Sequence, residues 1–372
     1  MPEISSVSLY GFMLGLLVSG TAKTVVMKGM DLIKVHGNAF KHPYFQSFTL
    51  FLGEFLCLCM FILIKHYKKH RIASSEAFIE PDRTGIFKKL GKWVFCFSAA
   101  FELFASSLMF MGLVLSAASV FQMIRGFVVV VVAIYSKIFL KRSLFRHQIL
   151  GMVSCTIGVF LVGLASILYE APSARNPVLG VVLLLLGQLF AGAVFVTEEF
   201  FMEKLSCHPA EAVGMEGFIG IGYCIIILPV LNLIPCHDKA LCSHGKVENS
   251  LQAFKMLGDS PLLLMLWFVN IVSFALFHWT GVTTTRNASA LARSTVQTSC
   301  TLLIWIVSMI LGWEDFIWIQ LIGFLVLVLG TLVYNEVLIL PWWGFKEAVL
   351  EHKNQSSKSP GQTTLNSFKL ND

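Results

Sequence analysis

Two arginines lie inside otherwise apolar segments, each with polar companions on its own helical face. Ser119, Gln122 and Arg125 recur every three residues, and Ser289, Arg293, Gln297 and Thr301 every four, spacings that stack side chains on one side of a helix. A charge at the centre of a bilayer costs about 2.5–3.5 kcal/mol on insertion scales, so a retained one needs a partner, a water-filled cavity or a function. A guanidinium with an amide beside it, presented from each of two helices, is what an organic anion requires, because guanidinium grips carboxylate or phosphate through two parallel hydrogen bonds. The competing readings are a buried bridge from Arg125 to Glu102 or Glu54, and an Arg293 that snorkels to the nearby membrane edge.

Further ionisable groups fall in the same apolar stretches. Lys23 shares a face with Gly15 and Ser19 about one turn from the end of its segment, where snorkelling and ligand contact account for it equally. Glu54, Glu102 and Glu216 have apolar residues on both sides and suit a proton carrier, a bridge partner or a substrate ligand. Of the adjacent Glu198 and Glu199, Glu199 is favoured because it shares a face with Gln188 and Gly192. Asn270 and Ser273 either line the same cavity or hydrogen-bond neighbouring helices. The candidate substrate-binding set is therefore Lys23, Glu54, Glu102, Ser119, Gln122, Arg125, Glu199, Glu216, Asn270, Arg293 and Gln297. No H-E-x-x-H, G-x-S-x-G or Walker sequence is present, and His66, His70, His208 and His278 are too scattered for a metal site. No catalytic residue, cofactor or metal is expected.

The elements that must position these groups follow from composition. Of 372 residues, 56% are hydrophobic and 13% charged, about half the charged share of a soluble domain. About 20 apolar residues cross a bilayer as helix, and ten such segments fit the apolar total. Long spans without period-two alternation favour helices over a barrel. Apolar runs occupy about 8–27, 44–64, 93–115, 117–140, 148–168, 178–201, 212–234, 261–282, 288–311 and 316–338, which makes the chain an all-α membrane protein of ten transmembrane helices. The N-terminus, residues 1–7, has neither a basic region nor a cleavage pattern, so the first run is expected to be a retained span.

Orientation follows from Lys and Arg on alternate connections. Eighteen of the 28 fall on one side, led by the 65–92 connection, and seven on the other, which makes both termini cytosolic. The sequons at Asn287 and Asn354 then face the cytosol, and residues 342–372 form a cytosolic polar tail. Cys236 and Cys242 share a loop on the opposite side, where a disulfide and two free thiols are equally compatible with the sequence. The net charge of +6 serves this orientation and gives no nucleic-acid partner.

The two halves resemble one another. Leu14 to Gly20 aligns with Leu186 to Gly192, and Gln148-Ile149-Leu150-Gly151 followed by Gly158 aligns with Gln320-Leu321-Ile322-Gly323 followed by Gly330, both at an offset of 172 residues. Two five-helix repeats result, 8–169 and 178–341, joined by 170–177. Because five is odd, the second repeat enters the membrane from the opposite side, and this 5+5 inverted repeat is the architecture of alternating-access carriers. The leading function is thus secondary transport or exchange of a small organic metabolite, anionic in character. The alternative is a non-transporting membrane adaptor acting through its tail or the basic 65–92 connection.

The runs Leu52-Gly53-Glu54-Phe55, Ser119 to Gly126, Glu198-Glu199, His208-Pro209 and Ala212 to Gly217 resemble the drug/metabolite transporter superfamily, and more narrowly solute carrier family 35, subfamily F, of the member-6-like branch. The resemblance spans about residues 8–340 and implies a nucleotide-sugar-transporter-like fold with a central cavity. The Phe-Tyr-Asn-Asn and Gly-Ala-Leu-Asn-Lys signatures of GDP-sugar carriers are absent, and Asn287 to Arg293 stands where the second would be. The resemblance further implies an intracellular, lysosomal or mitochondrial membrane. The partners implied are the lipid bilayer and a small-molecule substrate, with a homodimer and cytosolic partners of the tail left open.

Overall fold

The computed structural model describes residues 6–71, 91–141, 144–169, 176–205, 207–236, 245–288, 290–313, 316–334 and 338. The 342–372 tail, most of the 65–92 connection, most of the 170–177 linker, Cys242, and the side chains of Ser119 and Ser289 lie outside the described residues. In chain order the helices are α1 (Ser6–Leu32), α2 (Pro43–Arg71), α3 (Phe95–Leu115), α4 (Ala118–Arg125), α5 (Val128–Phe139) and α6 (Arg146–Leu168). They continue with α7 (Pro177–Leu205), α8 (Pro209–Leu233), α9 (Ser250–Asp259), α10 (Pro261–Asn287), α11 (Ala290–Ile310) and α12 (Trp318–Tyr334). A two-residue hairpin, Lys34–Val35 against Asn38–Ala39, separates α1 from α2. His36 and Gly37 form its turn with φ of 50° and 81°, the left-handed pair a tight hairpin requires.

Among the described residues, eight helical segments are long and apolar enough to cross a membrane, α4 and α5 counting together as the segment Val120–Phe139. α12 is apolar but shorter, and α11 carries Arg293, Ser294, Gln297 and Thr301 on buried positions. Large apolar side chains such as Leu14, Ile62, Phe160, Ile225 and Leu325 lie exposed on the outer surface, which is what a hydrocarbon solvent permits. Helix starts follow local chemistry. Ser260 accepts from Leu263 N at 3.3 Å ahead of Pro261, and Asn249 accepts from Gln252 N at 3.2 Å.

Two boundaries differ from the sequence reading. The fourth apolar run is broken at Gly126–Phe127 into α4 and α5. A Cβ at Gly126 would fall 2.8 Å from Leu327 Cδ2, so the break lies where α12 approaches closely. α1 continues to Leu32, past the expected end at Met27, so Lys23 is more than two turns inside the helix. Lys28, one residue beyond the end of the first apolar run, is also helical and buried. Its ammonium donates to Leu113 O at 3.1 Å and Ser116 O at 2.9 Å, satisfying carbonyls that the end of α3 leaves open.

The most extensive helix pairings are α6 with α12, α3 with α7, α2 with α8, and α1 with α10. Glycines set the first. A Cβ at Gly151 would lie 2.7 Å from Gly330 O, and one at Gly158 2.7 Å from Gly323 O, so the backbones touch. Ser154 donates to Val326 O at 3.0 Å across the same seam. Residues separated by the repeat offset of 172 thus meet face to face. Elsewhere Gly15 closes on Thr280 of α10, while Gly187, its counterpart at that offset, closes on Met109 of α3.

Candidate functional site

The sequence delivers polar groups to the centre from six helices: α1, α3, α4, α7, α10 and α11. Lys23, Glu102, Arg125, Gln188, His278, Arg293 and Gln297 line one cavity, together with Phe110, Phe121, Phe195 and Phe277. Its volume is about 30 Å³, room for one or two water molecules.

Lys23 and Arg125 share an aromatic neighbour. Lys23 Nζ lies 3.3 Å from the centroid of Phe277, and Arg125 Cζ lies 5.7 Å from it. Phe121 sits a further 5.7 Å from Arg125. Neither cation has a carboxylate within ion-pairing distance among the described residues; both lie against ring faces, and Glu102 lines the same cavity. Arg293 is different. Its guanidinium is ion-paired with Glu198, both 1% exposed, and lies 4.3 Å from the Phe195 centroid. Gly281 makes room for it, since a Cβ there would fall 2.8 Å from Arg293 Nε.

Behind the cavity sits a second layer. His278 Nδ1 lies 2.7 Å from Glu54 Oε1, within ion-pair reach, yet off the line of a hydrogen bond; neither Glu54 oxygen accepts one. Glu216 of α8 is buried beside α2, where Gly217 brings the two backbones together; a Cβ there would meet Phe55 N at 2.4 Å. The Gln122 side-chain amide donates to Thr24 Oγ1 at 2.5 Å and its main-chain carbonyl accepts from Thr301 Oγ1 at 3.3 Å, so α1, α4 and α11 are tied at this point.

The structure therefore brings Lys23, Glu102, Arg125, Arg293 and Gln297 to one space, and puts Glu54, Gln122 and Glu216 in the layer around it. Glu199 and Asn270 are buried but do not line the cavity, and the Asn270 amide has no hydrogen-bond partner. The carboxylate facing Arg293 is Glu198, the neighbour of the one favoured from helical phase. Sequence reasoning also missed His278, Phe195 and Phe277 as lining residues. The available signal was the α10 stripe Asn270, Phe274, His278, a four-residue repeat on one face.

Comparison with known proteins names the scaffold. The EamA-like transporter family matches residues 8–164. "Solute carrier family 35 member F6" of Mus musculus is 35% identical over 334 residues, 87% of this chain and 88% of that protein, and its Homo sapiens counterpart is 33% identical over the same shares. The chain belongs to solute carrier family 35, within the drug/metabolite transporters. This solute carrier is accordingly a multi-pass membrane protein of a transporter family. One solved crystal structure shares the solute carrier's fold at 13% identity, with a TM-score of 0.52, covering 90% of this chain and 98% of that one.

Proposed function

We propose that this chain is a secondary-active carrier or exchanger of a small organic anion, nucleotide-sugar-like in class, working by alternating access of two inverted five-helix repeats. One observation carries the reading: Lys23 and Arg125 both face the cavity with no carboxylate paired to either among the described residues. Both cations face the cavity without an ion-pair partner, and Glu102 is the one carboxylate among the residues lining it, so the wall has an excess of positive charge to offer an anion.

The pairing pattern supports the repeats. A pseudo-two-fold that exchanges the halves maps α1 with α10 onto α7 with α3, and maps the Gly151–Gly330 contact onto Gly323–Gly158. The small cavity is then an occluded state, closed by contacts at both ends. Toward the end of α7 the closure is Arg293–Glu198. Toward the opposite end it is Lys28 on the α3 carbonyls and Gln46 donating to Asp31 at 2.6 Å. Cys236, beyond the end of α8, is disulfide-bonded, which supports an oxidising compartment on that side and cytosolic termini on the other.

The test is uptake into proteoliposomes of radiolabelled nucleoside monophosphates, sugar nucleotides and dicarboxylates. Saturable uptake of at least one class is expected, falling more than about tenfold in Arg125→Ala and Lys23→Ala. If the folded protein moves none of them and binding does not enlarge the cavity, the membrane-adaptor reading takes its place.

A further inference from the structure

The buried centre holds more acid than base. Glu54, Glu102, Glu198 and Glu216 stand against Lys23, Arg125 and Arg293, so with every group ionised four negative charges face three positive ones. The cavity wall itself carries Lys23, Arg125 and Arg293 against Glu102, so an anion bound there is opposed by the carboxylates behind the wall, and in a low-dielectric interior that repulsion is poorly screened. A proton taken up by one carboxylate removes one unit of that charge.

Glu54 is the carboxylate whose surroundings fit that task. It is 1% exposed and neither oxygen accepts a hydrogen bond, so its ionised form has none of the donors a buried carboxylate normally needs. His278 reaches it from α10, and the outer ring nitrogen, Nε2, is itself without a partner. His278 lines the cavity and Glu54 does not, which places the imidazole between the cavity and the carboxylate. Glu102 from α3, Glu216 from α8, Glu198 from α7 and Arg293 from α11 act on Glu54, while Lys23 from α1, Arg293 and Arg125 from α4 act on His278. Three of these are acids, so an ionised Glu54 is opposed from α3, α7 and α8 at once.

We propose that this carrier moves its anion together with a proton, and that the Glu54–His278 pair is the proton site. The proton adds to the Glu54 carboxylate by way of the imidazole. An Nε2–H bond forms as the Nδ1–H bond breaks, a turn of the ring brings Nδ1 into line with Glu54 Oε1 for the transfer, and the pair passes from one negative charge to zero with the proton on the Glu54 carboxyl. Release on the far side returns the charge after the anion has left. The coupling rests on the anion-carrier reading of the cavity, whereas the proton site can be tested without a substrate.

Two measurements separate them. Infrared difference spectra of the reconstituted, ligand-free chain, stepped from about pH 8 to about pH 5, are expected to show a protonated buried carboxyl band. That band should vanish in Glu54→Gln and shift in His278→Asn, with Glu54→Asp retaining it as a check on folding. In liposomes carrying a trapped pH dye, uptake of UMP, UDP-glucose or succinate should rise at least about fivefold under an inward proton gradient, and Glu54→Gln should lose that stimulation. A carried anion whose flux ignores the gradient overturns the coupling. A carboxyl band unchanged in Glu54→Gln overturns the site. Absence of any flux with the Glu54 band intact refutes the carrier reading and upholds the proton site.

Discussion

Replacing Glu198 with Gln would leave the Arg293 guanidinium charged, buried and without its counter-ion. Both side chains are 1% exposed, so neither can turn to bulk water without moving a helix. Removing one partner of a buried pair costs about 3–5 kcal/mol, and here two features favour the lower end. Arg293 borders the water-sized cavity, and the Phe195 ring at 4.3 Å offers a cation–π contact worth about 0.5–2 kcal/mol that survives the change. The expected loss is about 3 kcal/mol, roughly a hundredfold in the folding equilibrium. Equilibrium unfolding in mixed micelles, followed by tryptophan fluorescence, measures it. The double variant Glu198→Met with Arg293→Met should recover most of that loss, because an apolar pair needs no desolvation of charge. A Glu198→Gln cost under about 0.5 kcal/mol would refute the buried pair, since it would mean the two charges are independently hydrated.

Two other outcomes follow from local geometry. Gly158→Val would put a Cβ 2.6 Å from Leu327 N and 2.7 Å from Gly323 O, both backbone atoms, so α6 and α12 must separate; a loss of at least about 3 kcal/mol is expected in the same unfolding assay, while Gly222→Ala, with open space around it, should be near neutral. Cys207, between α7 and α8, is buried, and burial first and the Glu211 carboxylate second push its thiol up to about 11. Only the thiolate reacts, so maleimide labelling of Cys207 near neutral pH should run about a hundredfold below that of an ordinary surface cysteine and rise about tenfold per pH unit toward 11, as read by mass spectrometry.

Much of the scaffold was legible because hydrophobic length is a one-dimensional property. The apolar runs mark where helices lie to within a few residues, and the glycines at offset 172 mark where backbones touch. The break after Arg125 was not legible. Apolar residues continue through Phe127 and Val128, and the break coincides with the approach of Leu327, two hundred residues later in the chain. Lys23 and Lys28 were read near a membrane edge for a related reason. Hydropathy falls at Lys28, although the helix runs on to Leu32 because buried acceptors at the end of α3 receive that lysine.

The candidate site divides the same way. That Arg125, Arg293, Lys23 and the embedded Glu54, Glu102 and Glu216 need an explanation is a matter of transfer free energy, and the sequence alone determined it, together with the family and the membrane. Which groups pair was decided only by the tertiary structure. Helical phase grouped Glu199 with Gln188, yet the packing of α11 against α7 pairs Arg293 with Glu198. Nothing local links His278 to Glu54, or Phe277 to Lys23 and Arg125. Ion pairs and aromatic contacts act over a few ångströms, so they depend on how helices distant in sequence cross, and no periodicity within one helix encodes that crossing.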